Sequence, residues 1–224
     1  MKVTHLGQAG LLLQTKTLTV MIDPYFTDSV GAIDPNKHRR VAMDEKLWSV
    51  RPDVLIFTHD HLDHYDPESA ERILKTHSGI QVLCPASVWG KVRANGGDHN
   101  YVLFDRHTQW TEKDIRFTAV KAAHSDACAI GVVIEAEGKT LYVTGDTLYN
   151  GEIFGDLPEK IDVIFLPVNG VGNNMNADDA ARFVDRCGAK LAAPMHVGMF
   201  DGLTGHILQV NNKVVLATYE SMEV

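Results

Sequence analysis

The sequence predicts an α/β protein in which two sheets are covered by helices. Three observations carry that expectation: many apolar runs of strand length, helical patterns concentrated between the later ones, and no linker, repeat or low-complexity tract that would divide the chain. At 224 residues, with about 100–200 residues per domain, the chain reads as one domain spanning 1–224. Hydrophobic residues at 45% and charged residues at 22% match ordinary globular composition and exclude disorder or a disulfide scaffold. The longest apolar runs, such as Val54 to Phe57, fall far short of the ~20 residues a membrane span requires. The opening stretch MKVTHLGQAG lacks the apolar segment of a signal peptide. Three well-separated cysteines without a CxxC pair read as thiols in a reducing compartment, so a cytoplasmic location is expected.

The elements follow in order. From Met1 to Asp23, short runs (VTHL, LLLQT, LTVMI) broken by Gly7–Gly10 and the Lys16 region predict a β-meander. Residues 27–46 are polar and irregular. Asp53 to Thr58 is a continuous apolar strand, buried on both faces by its composition. A helix starts after Asp66 as N-cap with Pro67 in its first position, and Ala70, Ile73 and Leu74 form its apolar face. Ile80–Cys84 is the next strand, then a short helix over Ser87–Ala94. Tyr101–Phe104, Ile115–Ala122, Ile130–Ala136, Thr140–Thr144 and Ile161–Val168 read as strands. Asn176 caps a helix over Ala177–Cys187, with Asp178 and Asp179 in the first turn where the helix dipole favours them. Lys190–Met195 is a strand ending at His196, and a further strand is expected near Lys213–Tyr219.

A net charge of −8 argues against a nucleic-acid polymer as partner, because such proteins carry a basic face. The expected partner is a small-molecule substrate, with no membrane and with room for a homo-oligomer. The eleven histidines are the unusual feature, since imidazole is the commonest metal ligand. His59, His61, Asp63 and His64 fall in THDHLDHYD, directly after a buried strand. At this chain's His and Asp frequencies, an HxHxDH pattern arises by chance in about two such chains per thousand, so the motif stands as a metal site. A hydrolytic metal site needs ligands from other strand ends as well. His124, Asp146 (in TGDTLYN) and His196 (in APMHVGMF) each follow an apolar strand within a residue or two. Imidazole and carboxylate without thiolate suit zinc, manganese or iron.

The order HxHxDH, His, Asp, His resembles the metallo-β-lactamase-fold hydrolase superfamily, from Met1 to about Phe200. THDHLDHYD, TGDTLY and PMHVGMF are most similar to the branch containing the L-ascorbate-6-phosphate lactonases and other metal-dependent hydrolases. The resemblance implies a four-layer αββα sandwich and two divalent ions, zinc or manganese foremost and iron as a third option. It implies that His59, His61 and His124 hold one ion, that Asp63, His64 and His196 hold the other, and that Asp146 bridges them. Asp23, in VMIDPYF, would accept a hydrogen bond from a ligand imidazole and fix its tautomer. Gln8 departs from the pattern, standing in LGQAG where several relatives have a histidine, and the chain is shorter than the lactonases.

The expected activity is hydrolysis of a small anionic ester, lactone or phosphoester by a metal-bridging hydroxide, with Asp63 also able to carry a proton. No GxSxG motif or Cys–His pairing suggests a side-chain nucleophile. Candidate substrate contacts are Arg39 and Arg40, which could grip a phosphate or carboxylate, Tyr149 and Asn150 after the Asp146 motif, and Asn169 and Asn174 in NGVGNNMN before a helix N-terminus. The alternatives are a phosphodiesterase or nuclease on the same scaffold and a non-catalytic metal-binding protein. The redox reading, a diiron flavoprotein, would want an acidic residue at His61 and a further flavin domain.

Overall fold

The computed structural model describes residues 1–224. Strands β1 (Lys2–Gly7), β2 (Gly10–Gln14) and β3 (Thr19–Ile22) form the expected antiparallel meander. The chain then crosses over through α1 (Ser29–Ile33) and two single 3₁₀ turns, and β4 (Val54–Ile56) adds parallel to β3. Next comes α2 (Pro67–Thr76), where the Asp66 carboxylate accepts from the Glu68 N–H and Pro67 occupies a first-turn position without a needed donor. Strand β5 (Gln81–Cys84), helix α3 (Ala86–Arg93) and strand β6 (Asn100–Leu103) complete this parallel half.

The second sheet holds β7 (Gln109–Glu112), β8 (Ile115–Lys121), β9 (Ile130–Ala136) and β10 (Lys139–Val143) as an antiparallel run. Strands β11 (Val163–Pro167) and β12 (Leu191–Met195) then add in parallel, with α4 (Ala177–Cys187) as the crossover between them. Asn176 caps α4 by accepting from the Asp179 N–H at 2.9 Å, and Gly188 ends it with φ +64°.

Three apolar layers hold this together. Between the sheets, Val20, Ile22, Val54 and Ile56 meet Phe117, Val132, Leu141 and Phe165. Outside the first sheet, Ala70, Ile73 and Leu74 of α2 and Val88 and Val92 of α3 cover Leu55, Phe57 and Val82. Outside the second, Ala180, Phe183 and Val184 of α4 cover Tyr142, Ile164 and Leu166. The order is therefore helix, sheet, sheet, helix, as expected. No helix is long and apolar enough to cross a membrane.

Two expectations need correction. β7 is an additional edge strand. Its QWTE sequence carries a single large apolar residue, because only Trp110 faces the core, so periodicity could not announce it. The tail does not form a strand over Lys213–Tyr219. That segment makes one bridge, Lys213 to Ala192, and Tyr219 adopts φ +70°. That left-handed residue turns the chain onto β1, where Tyr219 and Glu220 bond to His5 and the regular strand β13 (Ser221–Glu223) follows.

The topology fixes where chemistry can occur. β3 and β4 run parallel, as do β10, β11 and β12, so their carboxyl ends open on one rim of the sandwich. Gly145 shows how tightly that rim is built. It has φ +60°, and a Cβ there would lie 2.8 Å from the Ile130 carbonyl oxygen and 3.1 Å from Thr58 Cβ. Gly145→Ala should therefore destabilise the fold by about 2 kcal/mol or more, the combined cost of backbone strain and overpacking. A denaturation midpoint equal to that of the parent protein would contradict this account of the rim.

Candidate metal centre

Each side chain of the predicted site is carried to the rim by a strand. His59 follows β4, His124 follows β8, Asp146 follows β10 and His196 follows β12. His61, Asp63 and His64 lie in the loop after His59, which is tightened by His64 and Tyr65 N–H groups donating to the His61 carbonyl. Three non-glycine residues in left-handed backbone also meet here: Gln8 (φ +52°), Asp23 (φ +44°) and His196 (φ +62°). Strain of this kind persists where the surroundings over-determine it, and at functional sites above all. Here the His196 N–H donates to the Gln8 carbonyl and the Asp23 N–H to the Ile56 carbonyl.

The ligand-type atoms gather in two groups, His59, His61, His124 and Asp146 in one and Asp63, His64 and His196 in the other, each within 4.8 Å of one another. Hydrogen-bond accounting tests whether a cation fits them. The His59 Nδ1–H donates to Thr58 Oγ1 at 3.0 Å, and the Thr58 hydroxyl gives its own hydrogen to Asp23 Oδ2 at 2.6 Å. The His124 Nδ1–H donates to the Asn173 carbonyl at 3.2 Å. Both rings are left with a lone pair on Nε2, and these atoms stand 3.1 and 3.0 Å from Nδ1 of His61. That atom can aim one hydrogen at most, so at least one of the two approaches sets lone pair against lone pair. A cation between them removes the conflict.

The second group repeats the pattern. The His64 Nδ1–H donates to Asp23 Oδ2 at 2.8 Å, which is the tautomer-fixing role expected of Asp23. His64 Nε2 then faces Asp146 Oδ1 at 3.3 Å, yet both atoms are buried without a completed hydrogen bond. His196 Nε2 lies 3.1 Å from Asp63 Oδ2 and 3.2 Å from Asp146 Oδ2. Asp146 thus presents one oxygen to His64 and the other to His196, with His124 Nε2 at 4.0 Å. Orphaned buried nitrogen and oxygen atoms aimed at shared points are what a metal site leaves when no metal is counted.

Electrostatics separates the two groups. In the first, burial holds His59 well below and His124 below the ordinary histidine value of 6.5, so both stay neutral and ready to bind. In the second, burial works against charge on the rings, but the carboxylates prevail. Asp146, Asp63 and Asp23 hold His64 well above 6.5, and Asp146 and Asp63 raise His196 to about 9. Burial likewise opposes charge on the acids, and the facing His64 and His196 overcome it, holding Asp63 and Asp146 below the ordinary carboxylate value.

A cleft of about 420 Å³ opens above both groups, with His61, Asp63, Asp146 and His196 among its floor residues. Asn169 and Asn174 line it as expected, but their amides are engaged. Asn174 Nδ2 donates to Asp146 Oδ2 at 2.8 Å and orients that carboxylate, while the Asn169 amide stands 3.0 Å from His196 Nδ1. Arg39, Arg40 and Tyr149 lie outside the cleft lining, and Asn150 lines a neighbouring opening together with His124. Arg39 donates to the Tyr25 and Val41 carbonyls and to the Tyr219 hydroxyl, and so ties the 27–46 loop to the tail. Arg40 is exposed beside Gly202, outside the cleft lining. Tyr149 packs on Phe154 and Phe183 and accepts from Arg186, and Asn150 caps the 3₁₀ turn Gly151–Gly155. The cation that does line the cleft is Lys37, two residues before Arg39.

Sequence reasoning also passed over Thr58, Asn173 and the engagement of Gln8. Thr58 had a readable signal, a hydroxyl directly before the first ligand at a strand end. Asn173 acts through its carbonyl, which no side-chain pattern reports.

Comparison with known proteins agrees with this geometry. The family described as the beta-lactamase superfamily domain matches residues 19–197. A UPF0173 metal-dependent hydrolase of Korarchaeum cryptofilum is 30% identical over 208 residues, covering 91% of this chain and 86% of its own. A second, from a Geobacillus strain, is 29% identical over 215 residues, with 89% and 87% covered. Among solved structures, a metallo hydrolase from the hyperthermophilic archaeon Ignicoccus hospitalis shares the fold with a TM-score of 0.75 at 18% identity, covering 100% of this chain and 98% of that one.

Proposed function

This chain belongs to the β-lactamase superfamily of metal-dependent hydrolases, and from that premise we propose that it cleaves a small anionic lactone, ester or phosphoester with two divalent ions held side by side. The observation that carries the reading is the pair of converging donor groups on the floor of a cleft whose wall offers one cation, Lys37. His59, His61 and His124 would hold one ion, Asp63, His64 and His196 the other, and Asp146, whose Oδ2 lies 3.2 Å from His196 Nε2 and 4.0 Å from His124 Nε2, would be shared between them. Such ions, when bound, supply Lewis acidity toward the scissile carbonyl or phosphoryl oxygen and make water a stronger acid.

The chain's own residues do the rest. Asp23 and Thr58 hold His64 and His59 in the tautomers that present Nε2 inward, and the Asn173 carbonyl does the same for His124. Asn174 aligns Asp146. Asp63 lines the cleft and stays ionised beside His64 and His196, so its carboxylate can take a proton from water entering the cleft. Val30, Val171 and Phe200 on the cleft walls limit the substrate's bulk and shed water as it enters. The L-ascorbate-6-phosphate lactonases, whose motifs this chain resembles, set the class of compound to try first.

The test is a panel of phosphorylated or carboxylated lactones, esters and phosphoesters, each with a neutral analogue, on protein loaded with Zn²⁺ or Mn²⁺. Anionic members should be turned over, and Lys37→Ala should raise their KM about three- to tenfold, the yield of a solvent-exposed charge-assisted hydrogen bond. Neutral analogues and metal content should not respond to that change. Fully loaded protein that hydrolyses no anionic member, or a Lys37→Ala effect equal on charged and neutral substrates, would rule the reading out.

A further inference from the structure

The side chain of Gln8 is buried at 2% exposure, and its amide meets the second ligand group rather than the surrounding core. Nε2 lies 2.7 Å from Asp63 Oδ2 and 3.0 Å from His196 Nε2, and those two atoms are 3.1 Å apart. The three atoms form a nearly equilateral triangle. Edges of this length are the ligand-to-ligand separations of a coordination polyhedron with bonds of about 2.0–2.2 Å. Two vertices are ligand atoms already assigned. The third is an amide head that ends where a further ligand atom belongs.

The rest of the Gln8 environment leaves that head free to turn. Its carbonyl accepts from the His196 N–H at 2.9 Å, so the backbone is anchored independently of the amide. Its Nε2 donates to Asp63 Oδ2 and otherwise only stands beside the two ring nitrogens of His196, and its Oε1 takes no hydrogen bond from the protein. Gln8 also lines the cleft. An N–H pointed at Asp63 and His196 serves while those atoms face each other without a cation, because it offsets the carboxylate's charge. A cation held by the same two atoms would repel that N–H and attract the amide oxygen. A half-turn of the amide exchanges the two atoms without moving the backbone, since an amide's oxygen and NH₂ group occupy similar volumes.

We propose that Gln8 is itself a ligand of the second ion, through Oε1 after this half-turn, and that it makes the second site richer in oxygen than the first. The proposal rests on the two-ion reading above. The first group offers three imidazoles with Asp146, whereas the second then combines two imidazoles with carboxylates and a neutral amide oxygen. Oxygen donors of this kind raise the coordination number and narrow zinc's usual advantage over manganese. The two sites should therefore load differently, zinc preferring the first and manganese competing best at the second. The amide hydrogens, turned out of the site, would face the cleft as donors to bound substrate.

The experiment compares wild type, Gln8→Met and Gln8→Glu, all stripped of metal and then titrated with Mn²⁺ and with Zn²⁺. Bound ions are counted by mass spectrometry and affinities measured by calorimetry. Methionine keeps the length of the chain without the amide, and glutamate keeps the shape and an oxygen. Wild type should take two ions. Gln8→Met should keep the first and bind the second at least about tenfold more weakly, and Gln8→Glu should bind the second at least as tightly as wild type. With Co²⁺ in the second site, loss of a ligand in Gln8→Met should strengthen the visible d–d bands, and Gln8→Glu should restore the wild-type spectrum. Two ions in wild type, with an unchanged second affinity and spectrum in Gln8→Met, would overturn the assignment while sparing the two-ion reading. A single ion in wild type would overturn both. If Gln8→Met fails to fold, a Gln8→Glu second site weaker than wild type overturns the assignment.

Discussion

Replacing Asp146 with alanine should leave a protein whose melting temperature no longer responds to EDTA. In the parent chain, each ion that binds only the folded state stabilises it by about 2.7 kcal/mol at a hundredfold excess over Kd. Two ions, held as proposed, would together contribute about 5 kcal/mol, and at about 2–4 °C per kcal/mol for a chain of this size, chelation should lower the melting temperature by about 10–20 °C. Asp146 is the residue on which both groups depend. One of its oxygens stands 3.3 Å from His64 Nε2 and the other 3.2 Å from His196 Nε2, with His124 Nε2 at 4.0 Å. It is buried and held by Asn174, so no neighbouring acid can swing in to replace it. His196→Ala should behave differently, losing about half of the metal-dependent shift because the first group stays intact. Calorimetric melts of the three proteins, with and without chelator, decide the matter. An Asp146→Ala protein that keeps the full shift would show that the carboxylate is not shared.

Affinity for the second ion should climb steeply with pH, by about a hundredfold between pH 6.5 and 8.5 for each proton displaced, while affinity for the first stays nearly level above neutrality. The asymmetry comes from the opposite surroundings of the two groups. His59 and His124 are held below 6.5 by burial and bind metal without losing a proton. Burial also opposes charge on His196 and His64, but the carboxylates of Asp146 and Asp63 hold both above 6.5, His196 at about 9, so an ion must displace their protons.

The same shifts set the stability of metal-free protein, with the opposite sign. A histidine raised from 6.5 to about 9 contributes stability that is complete below pH 6.5 and fades as pH rises through 9. The depressed Asp63 and Asp146 contribute above the usual 3.8 and lose that contribution as pH falls below it. These are one set of ion pairs seen from both partners, so the effects are not summed. His59 and His124, held below 6.5, withdraw stability as pH falls beneath that value, so metal-free protein should be most stable near pH 6.5, and metal-loaded protein should gain on it as pH rises. Melts across pH 5–9, together with titrations in buffers of different ionisation enthalpy, read the stability change and the protons released. Metal binding without proton release, or a metal-free melting temperature that rises from pH 6.5 to 9, would contradict the arrangement.

Most of the architecture was legible because local physics and tertiary packing agree. Buried parallel strands such as β4 and β11 are continuous apolar runs. α2 and α4 begin at residues that cap them, Asp66 and Asn176, and bury the faces their periodicity marks. Where packing overrode local pattern, the reading failed. β7 is recognisable only from its partner β8, and the tail residues 213–219, apolar enough for a strand, bond to Ala192 at one end and to His5 at the left-handed Tyr219 without forming a regular strand.

The residues that gather in the two candidate donor groups were legible for a related reason. A strand that ends in histidine or aspartate places that side chain at a sheet rim, and the chain does so at His59, His124, Asp146 and His196. The surroundings of those ligands were not legible, since they depend on distances between residues far apart in sequence. Arg39 looked like a free anion-binding cation and is instead spent on the Tyr25 and Val41 carbonyls and the Tyr219 hydroxyl. Lys37, unremarkable in sequence, lines the cleft, with its Nζ 3.9 Å from the partly exposed Asp34 carboxylate. Thus the sequence by itself determined which residues can bind metal, because ligand chemistry belongs to the side chain and strand ends are local. Only the tertiary structure decided which nitrogen each ring presents, which histidines keep their protons and what Gln8 touches, because hydrogen bonds and Coulomb interactions act through space between residues 41 to 188 positions apart in the chain.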